Sequence, residues 1–208
     1  MSSRNAPDRP SRQARVARWS AGLNRLWCMA ILLLIPCGAI GAGAIAQAAR
    51  PSEYQVQAAY LYNFGKFVKW PAVAPANQTG VFAICVLGQD PFASVLESTL
   101  AGQKVEGKPV VVKRLTRAQD AAICHILSLS AAQRDLKGTL AAIDDSSVLT
   151  VSDMPDFSRR GGMIQFILEG DRVRFEINLE SAEKSHLVFP SELLKVATAV
   201  KRPARPGE

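Results

Sequence analysis

Reactive side chains are few in this chain. There are two histidines, His125 and His186, and four cysteines, Cys28, Cys37, Cys85 and Cys124. His125 follows Cys124 at the head of an apolar run, Ile123-Cys124-His125-Ile126-Leu127. That setting reads as a hydrogen-bonded core residue rather than a base. His186 closes a helical stretch, where a cation suits the helix dipole. A Ser-His-Asp set can be written from Ser152, His125 and Asp153, but no spacing favours it. G-x-S-x-G, P-loop, G-x-G-x-x-G and H-E-x-x-H motifs are all missing from the sequence. Two cysteines with distant histidines do not resemble a zinc site. The residues therefore predict a non-enzymatic protein, with no catalytic residue, no metal and no cofactor.

Binding chemistry is better represented. The segment Ser152 to Gly162, SDMPDFSRRGG, follows an apolar strand and carries Asp153, Arg159, Arg160 and two glycines. In open α/β sheets ligands sit at the carboxyl ends of strands. Arg159 and Arg160 could fork onto a phosphate or carboxylate, and Gly161 and Gly162 would let the backbone come close. The plain alternative is a solvated loop. A second candidate is the outer face of the strand Arg172 to Asn178. Val173, Phe175 and Ile177 alternate inward there, leaving Arg174, Glu176 and Asn178 as a polar, ligand- or partner-binding face, or simply a hydrated one.

These residues need elements to position them. The first is a helix from Ser52 towards Pro71, SEYQVQAAYLYNFGKFVKWP. Ser52 and Gln55 have the spacing of a capping box, and Glu53 suits the positive end of the dipole. Tyr54, Ala58, Leu61 and Val68 make one apolar stripe; Tyr60, Phe64 and Phe67 make another beside it. Gly65 costs about 1 kcal/mol of helix propensity, which a close approach of helix to sheet would explain. A surface linker, Ala72 to Gly80, leads to Val81–Leu87, a run apolar enough to be buried on both faces. A short helix (Phe92 to Leu100, capped by Asp90), a strand (Val110 to Leu115, towards an edge), a strand (Ile123 to Leu129), a helix (Ala131 to Leu140, capped by Ser130) and a strand (Val148 to Val151) follow. That alternation predicts parallel βαβ units. Met163–Glu169 and Arg172–Asn178 flank Gly170-Asp171, a hairpin signal. Helices from Leu179 to His186 and Ser191 to Val200 close the domain.

Charge separates the chain into two parts. Residues 1–48 hold six arginines and one acid, Asp8; removing them from 25 basic and 18 acidic residues leaves 19 and 17. An isoelectric point near 9.5 is thus owed to the front and implies no nucleic-acid partner. The basic stretch precedes an apolar run, Leu26 to Ile35, and two small-x-small sites, Ala44-Ile45-Ala46 and Ala46-Gln47-Ala48. This reads as an export signal over 1–48. An uncleaved membrane anchor and a lipoprotein at Cys37 are the rival readings. Residues 49–200 form the domain, and 201–208 a disordered proline-rich tail.

Cleavage would remove Cys28 and Cys37 and leave the pair Cys85 and Cys124 in an oxidising compartment. Either they bond, or they are two buried thiols. If bonded, their Cα atoms lie about 4.4–6.8 Å apart, and the first and third of the four strands named above must be neighbours. The expected fold is then one α/β domain: helices layered around a mixed, mostly parallel sheet of order 2-1-3-4, with a C-terminal antiparallel hairpin.

The segments EYQVQAAYLYNFGKFVKWP, FAICVLGQDPF, CHILSLS, VLTVSD, GGMIQF and RVRFEINLESAE come in order, from about Glu53 to Val200. Together they resemble the YfiR-like family of periplasmic proteins. The resemblance implies a compact α/β domain, often a homodimer. It implies a partner too, the periplasmic domain of an inner-membrane diguanylate cyclase, which is held inactive so that cyclic di-GMP and biofilm formation fall. Redox state and small ligands are associated with that control. Cys85 in ICVLG and Cys124 in CHILS match the family's disulfide pair. A second pair, known in the best-studied member, would fall near SRRGGMIQF, where this chain has no cysteine, so switching through that bridge is not expected. No ligand-binding residue carries over.

Overall fold

The capping box is formed in the computed structural model, which describes residues 51–144 and 146–203. The amide of Ser52 donates to Gln55 Oε1 at 2.7 Å, and the amide of Gln55 donates back to Ser52 Oγ at 3.3 Å. Helix α1 spans Glu53–Phe67 and ends earlier than Pro71 predicts, because Val68 is already extended. It buries Ala58, Leu61 and Phe64. The Phe64 ring meets Phe175 edge-on, with centroids 5.1 Å apart. A Cβ on Gly65 would lie 2.9 Å from the Phe82 ring. The missing side chain is what lets α1 lie down on the sheet.

The sheet has eight strands: β1 (Phe82–Leu87), β2 (Lys104–Val105), β3 (Lys108–Leu115), β4 (Ile126–Leu129), β5 (Leu149–Ser152), β6 (Ile164–Glu169), β7 (Arg172–Asn178) and β8 (Ala199–Lys201). Their order is β2-β3-β1-β4-β5-β6-β7-β8. The predicted 2-1-3-4 is its central part, β3-β1-β4-β5, all parallel. The hairpin β6-β7 is antiparallel and joins this sheet through a parallel β5-β6 pair. Both edges gain a strand the sequence did not predict. β2 pairs with β3 only at Lys108 and Pro109, so Val111–Leu115 lies towards the edge, as the charge at its end predicts. β8 pairs in parallel with β7.

Four further helices are present: α2 (Val95–Leu100), α3 (Leu136–Ala141), α4 (Leu179–Lys184) and α5 (Ser191–Val196). Each is shorter than its apolar pattern predicts, for local reasons. Ala93 takes a left-handed conformation and delays α2. Ser130 accepts from the amide of Ala132 in a turn, and Asp135 takes over as the cap of α3. Cys124 closes a 3-10 turn, Ala118–Ile123, so β4 begins two residues after it. Beyond Val196 the chain is extended, and Thr198 N donates to Phe175 O at 2.9 Å. The open edge of β7 supplies backbone partners that a longer α5 would leave unpaired. Lys201, read as tail, closes β8. Residues 1–48, read as the export signal, and 204–208 lie outside the described residues.

Strand alternation sorts the core into two layers. Phe82, Ile84 and Val86 of β1 face α1, α2, α4 and α5, together with Ile126, Leu149, Val151, Phe166 and Phe175. Ala83, Cys85 and Leu87 face the other way, towards Leu127, Leu129, Leu136, Met154 and Phe157. The bond between Cys85 and Cys124 lies in that second layer, with Cα atoms 6.0 Å apart. The free-thiol alternative is thereby set aside. Both cysteines are fully buried.

Next to the bridge, His125 is a core residue, as its flanks predict. Its Nδ1 accepts from the amide of Ala83 at 3.1 Å, so Nε2 carries the proton, 3.2 Å from Asn77 Oδ1, which accepts it. The ring stacks on Phe82 at 4.2 Å. Burial, helped by nearby Lys108, pushes its pKa down to about 4. The unfolded chain takes a proton near pH 6.5 and the folded one only near 4. Stability is therefore full above pH 6.5 and falls as the pH drops through that window. Urea unfolding of wild type against His125→Gln should show wild type losing roughly 2–3 kcal/mol more between pH 7 and pH 4. Equal losses would exclude this role.

Candidate functional site

Asp153 to Gly162 is the crossover from β5 to β6. Met154 and Phe157 pin it to the second core layer. The amide of Gly162 donates to Phe157 O at 2.9 Å. A Cβ on Gly162 would lie 2.1 Å from the Phe157 ring. This glycine lets the chain turn tightly beside that ring. Arg159 and Arg160 are exposed and held by different partners. Arg159 Nη1 lies 3.3 Å from Asp156 Oδ1, and Arg160 Nη1 lies 3.1 Å from Met154 Sδ.

The hairpin's outer face is only partly open. Arg174 is exposed, 4.0 Å from Glu169. Glu176 is half-buried, and its Oε2 lies 3.2 Å from Ser158 Oγ. Asn178, read as outward-facing, is buried. Its Nδ2 donates to Ser158 O at 2.7 Å, and its Oδ1 accepts from Ser181 N at the start of α4. Gln165 Oε1 accepts from the amide of Ser158. The crossover thus lies over the end of the hairpin, and this is why the period-two pattern fails at Asn178.

Asp153 belongs to another place. It follows β5 in phase with Leu149 and Val151, on the side of α1. There it lines a cleft of about 310 Å³ with Tyr54, Gln89, Asp90, Pro91 and Ser130. Gln89 and Asp90 follow β1, and Ser130 follows β4. The chain leaves β1 towards β3 and returns past it to β4, so this is the switch point where open α/β sheets place ligands. Asp90 is already engaged: Oδ1 accepts from Phe92 N at 2.8 Å, and Oδ2 accepts from Arg114 Nε at 2.7 Å. Arg114 also binds Glu97 and the carbonyl of Ala93. Burial raises the pKa of Asp153. Burial, then the charges of Asp153 and Glu53, raise that of Tyr54.

A second, wider cleft of about 560 Å³ opens between the ends of β1 and β3, lined by neutral groups such as Thr116, Gln133 and Thr139 and by Asp135. Gln133 Nε2 donates to Thr139 Oγ1 at 2.8 Å, and Asp135 caps α3, so these three side chains already have partners. Among the described residues, no three His, Cys, Asp or Glu side chains converge where a metal could sit.

Of the binding residues predicted from sequence, only Asp153 reaches the cleft at the switch point. Tyr54 was read as part of a helix stripe, and Asp90 and Ser130 as caps. A signal was available: Gln89, Asp90, Ser130 and Asp153 come directly after buried strands.

The Ser158 contacts predict unequal responses to substitution. Asn178→Ala removes a helix cap and a buried hydrogen bond and should cost about 2–3 kcal/mol in urea unfolding. Arg159→Ala, exposed with one ion pair, should change stability by less than about 0.5 kcal/mol. Comparable losses would contradict the buried role of Asn178.

Among solved structures, a conserved domain protein from Vibrio cholerae O1 biovar El Tor matches with a TM-score of 0.51 and 12% identity, covering 72% of this chain and 60% of that one. The ABC domain in complex with L-Trp from Streptococcus pneumoniae matches with a TM-score of 0.46 and 13% identity, covering 71% and 60%. This chain thus spans 60% of the length of each. The first likeness shows a shared fold. No curated protein matches the chain. The family model described as YfiR/HmsC-like matches residues 54–198, from the second residue of α1 to the residue before β8, and the chain belongs to that family.

Proposed function

We propose that this protein is a periplasmic regulator that binds the periplasmic domain of an inner-membrane diguanylate cyclase and holds it inactive, lowering cyclic di-GMP. The observation that carries the reading is the YfiR/HmsC-like family match over residues 54–198, which supports a periplasmic regulator of diguanylate cyclase at the level of the family. The bond between Cys85 and Cys124 suits an oxidising compartment. Arginines ahead of an apolar run in residues 1–48 support export. No helix among the described residues is long and apolar enough to cross a membrane.

The protein works by binding rather than by catalysis. It prefers the inactive state of its partner and shifts the equilibrium by that preference. Taking a cyclase from 99% active to 99% inactive requires about 5.5 kcal/mol of differential affinity. An interface of ordinary size can provide it. The exposed charges Arg159, Arg160 and Arg174, with half-buried Glu176, lie on the crossover and hairpin and form the rim of that interface. Asn178 contributes by holding the crossover in place. The acting form is a homodimer, as the family resemblance implies.

Redox control does not run through Cys85 and Cys124, because both are sealed in the core. A second reading is a module of another signalling or transport system that binds a small anion or nucleotide, and it would rest on the exposed Arg159 and Arg160.

Deleting the gene in its own host should raise cellular cyclic di-GMP and increase biofilm. Restoring the wild-type gene should reverse both. An unchanged or lower cyclic di-GMP level would overturn the repressor reading.

A further inference from the structure

We propose that the cleft at the carboxyl ends of β1, β4 and β5 binds a small organic amine, with Asp153 as the counter-ion for its ammonium group and Tyr54 as the ring against which its apolar body packs. The proposal goes beyond the regulator reading and does not depend on which cyclase is the partner.

The shape comes first. A cleft of about 310 Å³ at a switch point is at the lower end of the size of small-molecule sites. Its walls are built on buried strands. Ser130 N donates to Leu87 O at 3.1 Å, fixing the turn after β4 to the end of β1. Ser152 Oγ donates to Leu129 O at 2.8 Å, and Met154 N donates to Ser152 Oγ at 3.0 Å. These bonds flank Asp153 on both sides and fix its backbone. The Tyr54 ring is held edge-on against Phe92, with centroids 5.7 Å apart.

Charge decides the class of ligand. The lining includes two carboxylates and no cationic side chain. Asp90 is neutralised by Arg114 from outside the cleft. Asp153 has no such neighbour: among the described residues no side chain donates a hydrogen bond or an ion pair to it. Its carboxylate is half-buried, and a partly desolvated charge is unfavourable until a counter-charge arrives. A phosphate or carboxylate would meet like charge there, whereas an ammonium group would meet an unneutralised acceptor. The aromatic face of Tyr54 also attracts cations. Gln89 and Ser130 can hydrogen-bond the remaining polar groups of the ligand.

Three probes test this: phenethylamine, choline and putrescine, titrated into the whole exported chain while amide shifts are followed by NMR. At least one should bind saturably below about 10 mM, with shifts centred on residues 89, 130–132 and 153. The neutral and anionic counterparts of phenethylamine, 2-phenylethanol and phenylacetate, should bind at least about ten-fold more weakly than the amine. Asp153→Asn, close in shape to the native residue, should weaken amine binding roughly ten-fold or more. If that variant fails to fold, the shift map and the amine-to-acid ratio on wild type decide alone. Any one of three results overturns the proposal: no saturable binding by any probe, equal binding of amine and acid, or shifts centred elsewhere.

Discussion

The joint between β1 and β4 holds the molecule together in three independent ways. Parallel ladder bonds run from Ile84 to Leu87 against Ile126 to Leu129. The sulfur bond from Cys85 reaches Cys124 just ahead of β4. The ring of His125 accepts the amide of Ala83, while its own backbone amide donates to Ala83 O at 2.9 Å. All six residues of β1 are buried, so each core layer is built on one of its faces. Displacing β1 would open both layers together.

This joint has a consequence at its other end. The chain turns away from β1 and from β4 in opposite directions, and the gap between the two turns becomes the cleft beside Asp153. A joint so firmly tied leaves the cleft preformed, and a preformed site spares a ligand the ordering entropy of closing it. The same burial keeps the bridge structural. The charges on the crossover and hairpin, and the cleft, lie outside the joint.

Much of the fold was legible because local and global signals agree. Ser52 and Gln55 announced α1, and Gly65 its close approach to Phe82. The run Val81 to Leu87 announced a strand buried on both faces. The geometry of a disulfide turned two cysteines into a strand order. What escaped was decided by distant backbone. Ala199 to Lys201 have no strand pattern of their own and are ordered by the edge of β7. Asn178 follows the outward phase of its strand but is covered by a crossover that ends sixteen positions earlier in the chain, at Gly162. Asp153 was singled out, yet beside Arg159 and Arg160, its neighbours in sequence. Its neighbours in space come from the ends of other strands and from α1, and only the sheet order brings them together.

Urea unfolding with and without a strong reductant tests the joint most directly, because the reductant reaches the sulfurs once the chain opens. The bridge closes a separation of 39 residues, for which the chain-entropy model gives about 4 kcal/mol. Reduced wild type and oxidised Cys124→Ala should both be weaker than oxidised wild type, and reductant should leave the variant unchanged. A wild type that unfolds at the same urea concentration in both buffers would contradict the account.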